Sequence, residues 1–179
     1  CKASHGSGGI VLVWESAPRG PLPSDAYACT WERFLVQPDD LVREDLARLC
    51  DRWLSLRFDY CSGRFPEPAY RDVPPRIVLE ELLEADGALP RDYKFFVFDG
   101  RCAVVHVDRD RFGCHERDVF TPDWDLIPVR YNYPRPAVPA DRPSRLDEML
   151  AVAEALGAGV DFVRVDLYVL GERIVVGEL

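Results

Sequence analysis

The sequence predicts an α+β protein, and three observations carry that reading: a β-hairpin pattern at each end, two stretches of helical periodicity, and a long antiparallel hairpin pattern between them. At 179 residues and 47% hydrophobic content, the chain can bury a real core, as one domain or as one domain with a small lobe. It holds no internal repeat and no low-complexity tract.

The opening string CKASHGSGGIVLVW places Lys2 before Gly6, Ser7, Gly8 and Gly9, and an apolar run at 10–14 follows. This reads as strand, glycine-rich turn and strand. Glycines admit positive φ and let backbone N–H groups come close to oxyanions, and Lys2 adds a point charge, so the hairpin is a candidate phosphate cradle. It is not a Walker loop, because there is no GK[ST] and no helix follows. Taken alone, the glycines read equally as a flexible hairpin tip. Residues 16–25 are rich in Pro and Gly and read as loop. Over 39–55, Val42, Leu46, Leu49, Cys50 and Trp53 recur at helical spacing, with Asp39 and Asp40 suited to the N-terminal dipole. Residues 58–75, with Tyr60, Arg64, Phe65, Tyr70 and Arg71, read as an ordered loop. An apolar strand ending in acids follows at 76–83, then a hairpin at 92–108 turned at Asp99-Gly100. Residues 110–135 are loop-rich, with a short hairpin around DVFTPDWDLIP. Ser144 and Asp147 form a capping-box-like start to a helix that ends near Gly157.

The closing string FVRVDLYVLGERIVVGEL reads as two β runs joined by Gly171-Glu172-Arg173, with Asp166 on the first and Glu178 on the second. Side chains alternate faces along a strand, so register decides whether the carboxylates meet. A three-residue loop sets Asp166 opposite Glu178 with Arg164 on their face, and Val163, Val165, Leu167, Val169, Val175 and Leu179 on the other. A two-residue turn throws Glu178 into the apolar layer. Two carboxylates with oxygen-only ligation favour Mg²⁺ over zinc. A surface hairpin with scattered charges is the competing reading of this segment.

A net charge of −9, with no basic stripe, argues against a nucleic-acid partner. No apolar run is long enough to span a membrane, and the start is not a signal peptide. The only Met is Met149, so the chain reads as a piece of a longer one. Cys1, Cys29, Cys50, Cys61, Cys102 and Cys114 match no CxxC or zinc spacing and read as reduced thiols, which points to the cytoplasm. The pair Cys114-His115 is the nearest approach to a reactive thiol. No general base is assigned to it. His106 reads as a partly buried strand residue.

The order hairpin, helix, strands, helix, acidic hairpin resembles the ATP-grasp superfamily, and most closely its TupA-like branch, associated with teichuronopeptide and cell-surface polysaccharide biosynthesis. The strings KASHGSGG, PPRIVLEELL, LPRDYKFFVFDG, VDRDRF and VRVDLYVLGERIVVGEL carry the resemblance over almost the whole chain. It implies an ATP-grasp fold of two α+β lobes with antiparallel sheets and a nucleotide site between them, truncated at both ends. Residues 1–83 would be the small lobe, with the phosphate hairpin and adenine hinge; residues 84–179 would be the large lobe, with the metal-binding terminal hairpin.

The resemblance also implies roles. Lys2 would hold the nucleotide phosphates, while His5 and the loop of Gly6, Ser7, Gly8 and Gly9 would close over the β and γ phosphates. Glu80, with the backbone of Glu81 and Leu83, would bind the adenine edge; Leu79 and Leu82 also suit ordinary strand core. Asp92 stands at a position that often contacts ribose, and Lys94 at one that faces the phosphates. Arg164 matches a cation that stabilises the transferring phosphoryl group, with Arg111 as a second candidate. Asp166 and Glu178 would hold Mg²⁺. The activity implied is ATP-dependent phosphorylation of a carboxylate and its capture by an amine, with a uronic-acid glycan as one possible carboxylate partner. Family members usually have an Asn or similar residue after the final acid and a domain before the glycine hairpin, and this sequence shows neither. A non-catalytic nucleotide-binding remnant and a glycosyltransferase-associated module are the alternative readings. The second lacks any visible sugar-nucleotide motif.

Overall fold

Short apolar runs broken by Gly and Pro build only short strands, and the first part of the chain folds accordingly. The computed structural model describes residues 1–22, 31–58, 70–84 and 87–179 and divides the protein into two compact units, Cys1–Leu82 and Leu83–Leu179. In the first unit β1 (Lys2–Ala3), β2 (Ile10–Val13), β3 (Arg33–Val36) and β4 (Ile77–Val78) lie in the order β3-β2-β1-β4. β1 pairs antiparallel with β2 and β4, but β2 and β3 run parallel, so the sheet is mixed where the sequence suggested antiparallel pairing. The strand expected over 76–83 stops at Val78, because β1 offers β4 only Lys2 and Ala3 as partners. Leu79 beyond it is 77% exposed and belongs to no core.

Helix α1 (Arg43–Ser55) begins at Arg43 rather than Asp39. Pro38–Asp40 forms a separate 3-10 turn, and the Asp40 carboxylate accepts the Gly20 N–H at 3.0 Å. Glu44 and Asp45 supply the acidic first turn instead. The helix buries Leu49 and Trp53 among Ala3, Val11, Phe34 and Val36. One residue beyond Leu49, the Cys50 sulfur lies 3.7 Å from the Cys1 sulfur. The expectations for Cys29, Tyr60, Cys61, Arg64 and Phe65 lie outside the described residues.

In the second unit, apolar and polar residues alternate over long strands, which gives a sheet with two unlike faces. Strands β5 (Asp92–Phe98), β6 (Arg101–Arg109), β7 (Glu116–Phe120), β8 (Phe162–Leu170) and β9 (Arg173–Glu178) lie in the order β7-β6-β5-β8-β9, every neighbour antiparallel. Asp99 and Gly100 turn β5 into β6 at φ of 47° and 74°, the left-handed pair that a type I′ hairpin requires. One face carries Tyr93, Phe95, Val97, Val105, Val107, Val165 and Leu167 into a core closed by α2 (Leu146–Leu156). Leu146 and Met149 of this helix are fully buried, each contributing ~1.5–3 kcal/mol of hydrophobic stabilisation. The expected capping box does not form. Arg145 is the N-cap without a side-chain bond, and Asp147 is taken by Arg142 at 2.8 Å.

The terminal hairpin corrects the sequence reading in one respect. Leu170 pairs with Arg173, so the turn has two residues, Gly171 and Glu172. Glu178 nevertheless faces Asp166, because a bulge at Gly177 inserts one residue and restores the register. A Cβ at Gly177 would stand 2.5 Å from the Tyr168 ring, so the bulge depends on glycine. The short turn also changes which β9 residues reach the core: Ile174, opposite Val169, packs there instead of Val175, and Leu179 is 65% exposed.

Candidate functional site

Even-numbered positions of β5 and β8 share the face of the second sheet that lies opposite the apolar core. Val119, His106, Lys94, Asp166 and Glu178 stand in one cross-strand row spanning all five strands. Lys94 Nζ donates to Asp166 Oδ2 at 2.5 Å and lies 2.8 Å from Asp92 Oδ2. Arg164 clasps the same carboxylate, Nε to Oδ1 at 2.6 Å and Nη2 to Oδ2 at 3.0 Å, and its Nη2 reaches Glu178 Oε2 at 3.4 Å. Arg111 donates from Nη1 to Asp92, whose Oδ1 is buried without a partner among the described residues. Five of these six side chains are buried or half-buried, and Glu178 alone is exposed.

Burial sets the protonation of this face, and the paired charges then adjust it. It works against the charges of Arg111 and Arg164, but Asp92 beside the first and Asp166 beside the second outweigh it and raise both guanidinium pKa values. Tyr168 is pushed up to about 12, by burial first and the Asp92 charge second, so it carries a hydroxyl proton across the working range. His106 is driven down to about 4 by burial and then by the Arg117 charge; it is a neutral imidazole.

A second cluster on this face was not singled out from the sequence. Asp108 is gripped by Arg117, Nε at 2.5 Å and Nη2 at 2.7 Å, with His115 Nε2 at 3.3 Å. Burial alone would raise the Asp108 pKa; the bonds and charge of Arg117 reverse that and hold it below the ordinary carboxylate range. His115 stacks on Tyr133 at 3.5 Å, and the Arg117 guanidinium sits 4.9 Å from the same ring. The sequence carried a signal for the cluster's β6 members only. His106 and Asp108 alternate on one strand of the hairpin turned at Asp99-Gly100, which sets them opposite Lys94 and Asp92.

The oxygens of Asp166 and Glu178 suit a magnesium ion, which takes one or two carboxylates and completes its shell from water and phosphate. Among the described residues no group of three or more His, Cys, Asp and Glu forms, so there is no all-protein cage. The Asp166 carboxylate already accepts from Lys94 and Arg164, so an ion there would share it with two cations and would need anionic groups to balance the charge.

In the first unit, Lys2 faces Val78 across the ladder, and its Nζ meets Glu80 Oε2 at 2.8 Å with both side chains partly exposed. Glu81 is exposed and Leu83 half-buried. The loop of Gly6, Ser7, Gly8 and Gly9 joins β1 to β2, and only Ser7 in it is exposed. Its glycines lie over rings: a Cβ at Gly6 would stand 2.4 Å from the Trp31 indole, and one at Gly9 would stand 2.9 Å from it. His5 turns inward, donates from Nε2 to the Trp53 carbonyl at 2.9 Å, and meets Trp31 edge to face at 5.2 Å. It therefore anchors the loop from inside. The structure thus brings Asp92, Lys94, Arg111, Arg164, Asp166 and Glu178 together in one unit, and Lys2, Glu80 and the glycine loop in the other.

Compared with known proteins, the chain matches the family model described as TupA-like ATPgrasp over residues 41–179. That span holds Glu80 and every charged residue of the five-stranded sheet, while Lys2 and the glycine loop lie before it. No curated protein and no solved structure matches the chain. No helix among the described residues is long and apolar enough to cross a membrane.

Proposed function

This chain belongs to the TupA-like ATP-grasp family, and from that premise we propose that it is the nucleotide-handling part of an ATP- and Mg²⁺-dependent carboxylate–amine ligase serving cell-surface polysaccharide assembly. The observation that carries the reading is the cross-strand row Lys94, Asp166 and Glu178 with Arg164 beside it. Buried ion pairs repay their desolvation poorly as a source of stability, and clusters of this kind recur at sites that bind charged ligands.

Asp166 and Glu178 would hold a magnesium ion, and the chemistry it would supply there is charge neutralisation at the phosphates. Lys94, fixed by Asp92 and Asp166, directs its amine end at that centre. Arg164, oriented through Nε and Nη2, steadies charge that grows on the transferring group and on the carboxylate that receives it. Arg111 secures Asp92 and so fixes Lys94; this supporting part suits Asp92 better than ribose contact, since Asp92 is buried. In the first unit Lys2 exchanges Glu80 for phosphate, the Gly6 to Gly9 loop offers backbone N–H groups, and Glu80 and Glu81, with Leu83 at the start of the second unit, border the base. In the first half-reaction the carboxylate takes the γ-phosphoryl group of ATP to give an acylphosphate and ADP, and attack by an amine on the acyl carbon then gives the amide, inorganic phosphate and a proton.

The test is Mg²⁺-dependent ATP binding and turnover by wild type, Lys2→Ala and Asp166→Asn, with circular dichroism to verify folding. Both substitutions should abolish turnover while the spectra stay native. Wild-type ATP consumption by folded Asp166→Asn would sink the assignment.

A further inference from the structure

Tyr168 touches both arms of the charged centre. Side chains alternate along β8, so Arg164, Asp166 and Tyr168 share the face opposite the core. From there the Tyr168 ring lies against β9: the Cβ that Gly177 lacks would stand 2.5 Å from its Cε2 and 3.3 Å from its Cδ2 and Cζ. Gly177 is the inserted residue of the bulge, and Glu178 follows it directly. At the other end of the side chain, the Tyr168 hydroxyl accepts a hydrogen bond from the Arg111 guanidinium beside Asp92. Arg111 donates to Asp92, and Asp92 Oδ2 holds Lys94 Nζ at 2.8 Å. Arg111 Nε is buried without a partner among the described residues, so Asp92 and Tyr168 carry the orientation of this guanidinium. One planar side chain thus reaches from the backbone that presents Glu178 to the ion pair that fixes Lys94.

We propose that Tyr168 is a positioning residue that sets Lys94 and Glu178 relative to one another across Asp166, its ring acting through Gly177 and its hydroxyl through Arg111 and Asp92. The inserted residue of a bulge has no ladder partner, so side-chain packing decides where the chain beyond it points. Gly177 packs on Tyr168, and Glu178 takes its direction from that contact. The two contacts are chemically separable. A phenyl ring packs as the tyrosine ring does but accepts no hydrogen bond, so loss of the hydroxyl frees Arg111 and leaves the bulge in place. A leucine side chain offers neither hydroxyl nor flat ring, and both arms loosen. This inference rests on the reading of Lys94 and Glu178 as the cation and the magnesium ligand of one centre, and it adds the residue that keeps them in step.

The experiment measures NMR order parameters for the Arg111 Nε–H and for the Gly177 and Glu178 amides in wild type, Tyr168→Phe and Tyr168→Leu, with no metal or nucleotide present. ATP turnover against Mg²⁺ concentration and thermal unfolding are followed on the same samples. In Tyr168→Phe the Arg111 order parameter should drop below about 0.6 while Gly177 and Glu178 stay as rigid as in wild type. Its turnover should fall about tenfold at unchanged half-saturating Mg²⁺. In Tyr168→Leu all three groups should become mobile, and half-saturating Mg²⁺ should rise about tenfold. A rigid Arg111 in Tyr168→Phe, or a rigid Glu178 in Tyr168→Leu, overturns the proposal. So does the same loss of turnover in both variants with no change in Mg²⁺ requirement, since the tyrosine is then a packing residue alone. The expected mobility in both variants with no ATP turnover by wild type would instead retain the positioning role and remove the ligase reading.

Discussion

The two units handle charge in opposite ways. Among the described residues of Cys1–Leu82 the ion pairs Lys2–Glu80 and Arg19–Asp40 lie at the surface, while His5, Trp31, Phe58 and Tyr70 meet edge to face. In Leu83–Leu179 the core side chains fill one face of the sheet, and Asp92, Lys94, Asp108, Arg117 and Asp166 are buried on the other, which also carries Phe96, Phe98 and Phe162 toward its end. Surface pairs contribute ~0–1 kcal/mol each, whereas a buried pair that loses one partner costs ~3–5 kcal/mol because the survivor stays desolvated. The difference teaches where stability and ligand chemistry are coupled. In the second unit the residues that would handle ligand also hold the sheet together; in the first, the aromatic packing supports the loop and the charged groups are free to change partners.

The largest effect that tests this contrast is removal of Lys94. Lys94→Met leaves Asp92 and Asp166 facing each other in a buried site and should destabilise the second unit by ~3–5 kcal/mol in urea unfolding. A change below ~1 kcal/mol would mean that water reaches both carboxylates and that the site is not buried in solution.

Acid comes next. The His106 pKa is about 4 in the folded state against 6.5 for the ordinary side chain, so between those values the unfolded chain binds a proton that the native state refuses. Its contribution is fully present above pH 6.5 and is lost as pH falls toward 4, up to ~3 kcal/mol. His115, lowered by its own burial, acts in the same direction. Asp108, held below its ordinary value of 3.8 against the effect of burial by Arg117, adds its loss only under stronger acid. Denaturant midpoints from pH 7 to 4 should fall for wild type and flatten for His106→Gln; identical slopes would refute the assignment.

A smaller effect comes from the bulge. Gly177→Ala should cost ~1–2 kcal/mol by overpacking against Tyr168 and weaken Mg²⁺-dependent ATP binding as Glu178 is displaced. Tyr168→Leu in the same chain should relieve the stability loss, and thermal unfolding of the pair measures that coupling. The smallest effect is Lys2→Ala, which should shift stability by no more than ~1 kcal/mol while removing nucleotide binding. A large loss of stability here would erase the contrast between the two units.

How much of this was legible in the sequence depended on strand length. The hairpin turned at Asp99-Gly100 and the strand from Phe162 alternate cleanly, so Val165 and Leu167 read as core and Arg164, Asp166 and Glu178 as neighbours, as found. The last of these rested on a mistaken turn. Two changes of one residue, a shorter turn and the Gly177 bulge, cancel in the position of Glu178 but not in those of Ile174 and Val175. Periodicity does not register an extra glycine set inside a continuous β run. In the first unit the strands are too short for alternation to bear weight. That His5 would point inward, or that Trp31 would lie against Gly6 and Gly9, depends on contacts across many residues of chain, which no local pattern encodes. The Asp108–Arg117–His115 group was missed for a related reason, since β7 follows a loop whose length does not specify its register.

The 3.7 Å gap between the sulfurs of Cys1 and Cys50 makes the redox history of a preparation part of its structure. A peroxide or a small disulfide that takes one hydrogen from each thiol would tie the first strand to the first helix and restrict the unfolded chain between them. Reduced and oxidised samples would then melt at different temperatures although every residue is the same, and a Cys50→Ser sample would melt identically in both. Lys2 follows Cys1 directly, so the oxidation state of this pair is a variable to fix before nucleotide affinities from different preparations are compared.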